Sequence, residues 1–115
     1  MRFLMLSFSA ITLFAQNTDL AQALQPSRRR INAIDDQIVQ LLNQRAQVVR
    51  EVGLIKKRLH APASAPGREE QVLQRASGQA RAPLSASAVE AIYKAILAEM
   101  SAMEQAEMEK SSKPH

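Results

Sequence analysis

A run of apolar residues at helical spacing dominates the first half of this chain and restricts what it can fold into. From residue 27 to about residue 59 the apolar side chains recur every three or four positions, the period of one face of an α-helix. At 1.5 Å per residue this run predicts a helix of roughly 50 Å, too long for the rest of a 115-residue chain to cover. We therefore expect the helix to pack against a partner along its length. The apolar residues are Ile31, Ile34, Ile38, Leu41, Leu42, Val48, Val49, Val52, Ile55 and Leu59.

The limits of this helix are also predicted from residue types. Pro26 fits the entry to a helix, and Ser27 is the expected cap. Only Gly53 interrupts the apolar pattern, and a single Gly costs about 1 kcal/mol without ending a helix.

Two further helices follow a clear break. Residues 60–67 contain two Pro and one Gly, a composition that ends regular structure. A short helix is predicted at 68–77, and a third helix begins at a cap formed by Ser85 or Ser87 and continues to about residue 109. The predicted fold class is therefore all-α, with a long, a short and a medium helix. The inner side of the third helix comprises Val89, Ile92, Tyr93, Ile96, Leu97, Met100 and Met103.

Residues 1–23 have the layout of a secretory signal peptide. Arg2 provides a basic start, residues 3–15 are almost all apolar or small, and Ala21 and Ala23 are small residues where a signal peptidase cleaves. The apolar run is shorter than the ~20 residues that cross a bilayer. We predict cleavage near Ala23 and export to the periplasm, with no membrane attachment afterwards; an uncleaved anchor or a misassigned start codon is the alternative.

The remaining chain is divided into a domain at 24–109 and a polar tail at 110–115. Its 92 residues carry 14 basic and 10 acidic side chains, a net charge of +4. At this size a lone core is marginal, which favours oligomerisation. The absence of Cys excludes disulfides and thiol chemistry, and the separation of His60 from His115 gives no metal-ligand spacing. No metal site is predicted.

Charged residues interrupt the apolar face of the long helix at two places. Arg45 and Lys56 are 11 residues apart, close to three turns, and so project from nearly the same side. Burying a cation costs free energy unless an anion binds beside it, so the spacing is consistent with an anion site. The alternative, equally open from spacing alone, is that the long side chains carry both charges out to water. Arg28 is turned roughly 100° away, so it suits the equivalent site of an antiparallel partner. The alternative is that residues 28–30 form a solvated basic cluster.

Several motifs in this chain resemble the all-α chorismate mutase family. They are an Arg three residues before an Ile, an Ile-Asp pair and Leu-Leu-x-x-Arg within residues 28–45, then Glu-x-Gly-x-x-Lys at residues 51–56, and Arg-Glu at residues 68–69. Pro83-Leu-Ser and the later Ile-Tyr pair resemble the start of the family's third helix. The resemblance extends from residue 25 to about residue 105, and the motifs occur in the correct order.

The resemblance implies an interlaced helical-bundle homodimer that converts chorismate to prephenate without a cofactor. By the same resemblance, Arg28 enters the partner's site, and Arg45 and Arg68 bind the two carboxylates of the substrate. Lys56 donates to the ether oxygen and a carboxylate, and Glu69 accepts from the ring hydroxyl. The reaction is pericyclic and needs no nucleophile or general base, so it can be accelerated by holding the compact conformer and by aiming cations at developing charge.

The chain departs from the family pattern at a few positions. Ala65 stands where many members have Asp, and Met100 stands where Ser is frequent. Glu104 stands where a Gln usually contacts the ether oxygen, and a Glu donates a hydrogen bond only when protonated. A shift of one residue would restore Ser101 and Gln105. Helical geometry favours Glu104, because Gln105 is turned about 100° outward.

Three other functions are compatible with parts of the sequence. Isochorismate–pyruvate lyases have the same fold and a similar set of cations, and release of pyruvate and salicylate from isochorismate would identify one. A basic helical module that binds nucleic acid fits the sequence pI of about 10.0, but the mature chain has one aromatic for base stacking. A non-catalytic coiled-coil partner leaves Lys56 and residues 68–69 unexplained. We therefore expect a mutase with a small dicarboxylate substrate and no nucleic-acid partner.

Overall fold

The computed structural model describes the backbone of residues 2–110 and the side chains of residues 17–110. It consists of three helices: α1 at Arg2–Arg58, α2 at Arg68–Ser77 and α3 at Ala86–Lys110. The predicted all-α class and the long, short, medium order are confirmed. Over the same residues, none of the helices has an apolar stretch long enough to cross a bilayer.

The predicted start of α1 is wrong. The helix begins at Arg2 and includes Pro26, so neither Pro26 nor Ser27 opens it. Proline inside a helix removes one hydrogen bond and costs about 3 kcal/mol. The preceding residues 20–25 are Leu, Ala and Gln, and their high helix propensity opposes this cost. Signal cleavage near residue 23 remains a prediction.

The other end of α1 is closed by a Schellman motif. His60 adopts a left-handed conformation with φ 53°. The Ala61 N–H donates to the Lys56 carbonyl at 2.8 Å, and the His60 N–H donates to the Lys57 carbonyl at 3.1 Å. These bonds satisfy carbonyls that the last turn of a helix leaves unpaired. The motif turns the chain sharply after Arg58 and starts the loop that leads to α2.

The beginnings of α2 and α3 follow the sequence closely. Gly67 precedes α2 with φ 85°, a conformation that Gly adopts without steric cost. The Ser85 Oγ accepts a hydrogen bond from the Ala88 N–H at 3.1 Å, so Ser85, rather than Ser87, caps α3. The predicted tail differs slightly, because Lys110 is the last residue of α3. Residues 111–115 lie outside the described residues.

The chain divides into two compact units, Met1–Leu42 and Asn43–His115. The first belongs to α1, and its apolar residues from Ile31 to Leu41 are exposed. In the second, α2 packs on α3, and the last turns of α1 contact α3 through the 3.6 Å ion pair of Arg50 with Glu107. Among the hydrophobic side chains that the structure describes, only Ala76 is buried, at 8% exposure. A single copy therefore forms almost no hydrophobic core. Four exposed residues of the first unit recur at three- and four-residue spacing and so share one face of the helix, which we call the α1 stripe: Ile31, Ile34, Ile38 and Leu41.

Candidate functional site

The second unit contains a cavity of about 610 Å³. Its walls are formed by the end of α1, the loop at residues 63–67, the beginning of α2 and the second half of α3. Its volume is within the range of sites that bind small organic molecules. The cavity exists because the Schellman motif turns the chain back and places the loop beside the last turns of α1.

Lys56 provides the most constrained cation of this cavity. Its Nζ donates to the Glu104 Oε1 at 2.7 Å and to the Ala63 carbonyl at 2.7 Å. The Lys56 and Glu104 side chains are only 21% and 12% exposed. Charge-assisted hydrogen bonds of this length are strong, so the ammonium is held in the cavity wall. The long stem does not carry the charge out to water, which was the alternative open from spacing alone.

Two guanidinium groups line the same cavity. Arg45 is half-buried and lies three turns before Lys56 on α1, whereas Arg68 is exposed and begins α2. Neither forms an ion pair within residues 17–110. A cation in the first turn of a helix is opposed by the helix dipole. An anion bound in the cavity would compensate both groups.

Two acidic side chains complete the polar lining. Glu104 lies on α3 and pairs with Lys56. Glu69 lies on α2, and its Oε1 accepts a long, 3.4 Å hydrogen bond from the Ser101 Oγ of α3. The charged lining thus comprises three cations and two carboxylates, a net charge of +1. In the described part of the chain, no three His, Cys, Asp or Glu side chains are grouped to hold a metal ion.

The rest of the lining includes several apolar side chains. Val49 and Val52 come from α1, Val72 from α2, and Leu97 and Met100 from α3. A lining that combines apolar side chains with a group of cations suits a small ligand with a hydrocarbon body and anionic substituents. Such a surface also lowers the local dielectric, which strengthens the interaction between the cations and a bound anion.

Most of the predicted site residues are brought together in this cavity. Its lining includes Arg45, Lys56, Arg68, Glu69, Glu104 and Gln105. Glu104 is half-buried and contacts Lys56, while the side chain of Gln105 is exposed. Arg28 lies in the other unit, Met1–Leu42, where it is exposed.

Sequence reasoning missed two features of the site. The Ala63 carbonyl is an acceptor for Lys56, and no pattern of side chains indicates a backbone contact of this kind. The second is Gly53, which is buried against Glu104. An isolated Gly inside a helical pattern is a recognised sign of close approach, so this one was detectable. Ala65 and Met100, the other departures from the family pattern, also line the cavity.

The comparisons with known proteins agree with the family resemblance of the sequence. Residues 27–105 match the sequence model of the family described as chorismate mutase type II. The bifunctional chorismate mutase/prephenate dehydratase of Aquifex aeolicus (strain VF5) is 33% identical over 54 residues, which are 47% of this chain and 15% of that protein. The solved chorismate mutase (form II) of Thermus thermophilus has the same fold, with a TM-score of 0.69 and 24% identity over 71% of this chain and 93% of that one.

Proposed function

Because this chain belongs to the type II chorismate mutase family, we propose that it converts chorismate to prephenate, a step in the biosynthesis of phenylalanine and tyrosine. The observation that carries the proposal is the set of three cations, Arg45, Lys56 and Arg68, around one cavity of about 610 Å³. Chorismate has an apolar ring system and two carboxylates, and this matches a lining that contains both apolar side chains and cations.

The proposed roles are those that the family resemblance implies, and the side-chain chemistry fits them. Arg45 and Arg68 bind the two carboxylates, since a guanidinium offers two parallel donors to a planar carboxylate. Lys56 donates to the ether oxygen and a carboxylate, since an ammonium is a compact charge on a flexible stem. Glu69 accepts from the ring hydroxyl. Each role is supported by the position of the residue in the cavity lining.

The proposed catalysis requires no covalent intermediate. The carbon–oxygen bond breaks while the new carbon–carbon bond forms, and negative charge develops on the ether oxygen. Holding both carboxylates in a compact conformer removes much of the entropic barrier. Lys56 is already fixed by its bonds to Ala63 and Glu104, so it needs little reorganisation to stabilise that charge.

A second copy of the chain completes this site in our proposal. The α1 stripe is at least half exposed, with values from 50% for Ile38 to 62% for Leu41, and its 3-4-3 spacing is that of a helix–helix seam. The cavity has a net charge of only +1, which is insufficient for a dianion. Arg28 of the second copy supplies the missing positive charge. We therefore propose an interlaced homodimer with two composite sites.

Export is a separate proposal and rests on residues 1–23 alone. The basic start, the apolar run and the small residues near Ala23 support removal of this segment on passage to the periplasm. The mass of the protein recovered from a periplasmic fraction should equal that of a chain beginning after residue 23. Recovery of the full-length mass would contradict the proposal.

The direct test supplies the purified protein with chorismate and, in parallel, with isochorismate. We expect chorismate to be consumed with stoichiometric formation of prephenate, and no pyruvate to form from either compound. Pyruvate and salicylate from isochorismate would assign the lyase reaction instead. If neither compound reacts, the remaining interpretation is a non-catalytic helical module.

Replacing Glu104 by Gln provides a first mutational prediction. The Glu104 carboxylate accepts from Lys56 and has no hydrogen to donate to the ether oxygen, whereas a Gln amide has two. The amide oxygen can still accept from Lys56. We therefore expect the kcat of Glu104→Gln to equal or exceed that of wild type, because a donor to the developing oxyanion is gained.

The measurement is the kcat of Glu104→Gln beside wild type and Glu104→Ala. Glu104→Ala has neither an acceptor for Lys56 nor a donor and should lose most of the activity. A kcat of Glu104→Gln as low as that of Glu104→Ala would show that a hydrogen-bonding group at this position is not sufficient.

A further inference from the structure

At Gly53 the backbone of α1 lies close to two side chains of α3, Glu104 and Met108. A Cβ built on Gly53 would lie 3.1 Å from the Glu104 Cγ and 3.4 Å from the Met108 Cγ. Contacts of 3.1 Å to a real Cβ are rare, so a side chain here would displace its neighbour. Gly53 is in the middle of a regular helix, so its backbone conformation does not require glycine. The space does.

We propose that Gly53 is a positioning residue for Glu104, and that its missing side chain is what allows the Glu104 carboxylate to reach Lys56. The inference rests on the proposed function, since it concerns the accuracy of the same site. It assigns to the Gly of the Glu-x-Gly-x-x-Lys motif a role in catalysis rather than in helix packing alone.

The geometry explains how one hydrogen atom in place of a methyl group affects the site. Glu104 crosses α1 at Gly53, and its Oε1 bonds to Lys56 at 2.7 Å, one turn further along α1. The carboxylate lies beyond Cγ on the same side chain. A push of a few tenths of an ångström at Cγ therefore becomes a larger displacement at the oxygen. This displacement separates the carboxylate from Lys56 and from the position of the ether oxygen.

A purely structural role for Gly53 predicts a different result. Ala is a better helix former than Gly, so Gly53→Ala should make α1 itself more stable. If Gly53 only allowed the helices to pack, the substitution would lower the melting temperature and affect activity only through unfolding. If it positions Glu104, activity falls in a protein that melts at the same temperature or higher.

The experiment compares Gly53→Ala, Glu104→Ala and the double variant in the full-length protein. We expect Gly53→Ala to lower kcat about 10²-fold, the loss typical of a displacement near 1 Å at a reacting centre, with little change in KM. In the Glu104→Ala background, which lacks the Cγ atom, the same substitution should change kcat less than about twofold, because the effect of the added methyl group acts through Glu104. Such non-additivity is the sign of a direct contact between two residues. Arg50→Ala is the matched control, because it removes a neighbouring α1–α3 contact with Glu107 and should leave kcat unchanged.

A crystal structure of Gly53→Ala gives a readout that does not depend on activity. The Lys56 Nζ to Glu104 Oε1 distance is expected to exceed the range of a hydrogen bond. Normal kcat in Gly53→Ala, or an equal loss in the Glu104→Ala background, would overturn the inference and leave the proposed function intact.

Two further outcomes are also decisive. If the wild-type protein does not act on chorismate, the proposed function fails, and the distance in the crystal structure alone decides whether Gly53 positions Glu104. If Gly53→Ala does not fold, adding Glu104→Ala must restore folding, because Glu104→Ala removes the Cγ atom with which the added methyl group would collide. Failure to restore it would overturn the inference.

Discussion

Replacing Lys56 by Ala is expected to lower the rate of prephenate formation about 10³-fold while the helical circular dichroism is retained. Loss of one preorganised donor to a developing oxyanion typically costs 10²- to 10³-fold, and Lys56 also contributes to carboxylate binding in our proposal. The change should appear mainly in kcat, because the charge on the ether oxygen exists only in the transition state.

The controls separate catalysis from folding. Lys56→Ala leaves the half-buried Glu104 without its 2.7 Å partner, and an unpaired carboxylate is destabilising. Lys56→Met retains the length of the stem and should be equally inactive. Lys57→Ala changes the adjacent lysine, which does not line the cavity, and should retain normal activity. Near-normal kcat in a folded Lys56→Ala protein would mean that the ammonium does not act on the substrate.

Replacing Arg28 by Ala is expected to lower kcat/KM about 10²- to 10³-fold, the effect of removing one partner from a desolvated charge pair. Arg28 is exposed in its own chain, so a single copy offers no reason for such a loss. In the interlaced dimer that we propose, the guanidinium is buried against the substrate of the second copy. Arg30→Ala, in the same basic cluster, should have little effect.

Mixing two inactive proteins tests this donation across the interface. A dimer of Arg28→Ala with Arg45→Ala contains one site with both arginines and one site with neither. When equal amounts exchange at random, half of the dimers are mixed, so about one quarter of wild-type activity should return, as required by a two-fold interface. The assay is prephenate formation after unfolding and refolding the mixture. If none returns, while each refolded wild-type control regains its activity, Arg28 does not act in the partner's site.

The fold was largely predictable because its signals are local. The period of the apolar residues predicted helices in the correct order, and Ser85 was one of two candidate caps because a hydroxyl at a helix start accepts from a nearby N–H. The beginning of α1 was predicted wrongly at Pro26, since the rule that proline starts helices takes no account of the strong helix formers in residues 20–25. The error came from giving one residue more weight than the combined helix propensity of its neighbours.

The composition of the cavity was partly predictable from spacing. Eleven residues separate Arg45 from Lys56, so any regular helix directs both to one side. Gln105 is turned about 100° away from Glu104 around the helix axis, and this favoured Glu104 as the residue that faces the site. Helical geometry does not say which residue of another helix Glu104 contacts.

The sequence by itself determined which elements form and which side chains share a helix face, because both depend on local propensity and on a 3.6-residue period. Only the tertiary structure decided that Lys56 contacts the Ala63 carbonyl and the Glu104 carboxylate, and that Gly53 makes room for the second of these contacts. The physical reason is that such contacts depend on how far apart two helices pack and where a loop turns back. Distances of this kind are set by side-chain volumes summed over the whole interface, and no short segment of sequence contains them.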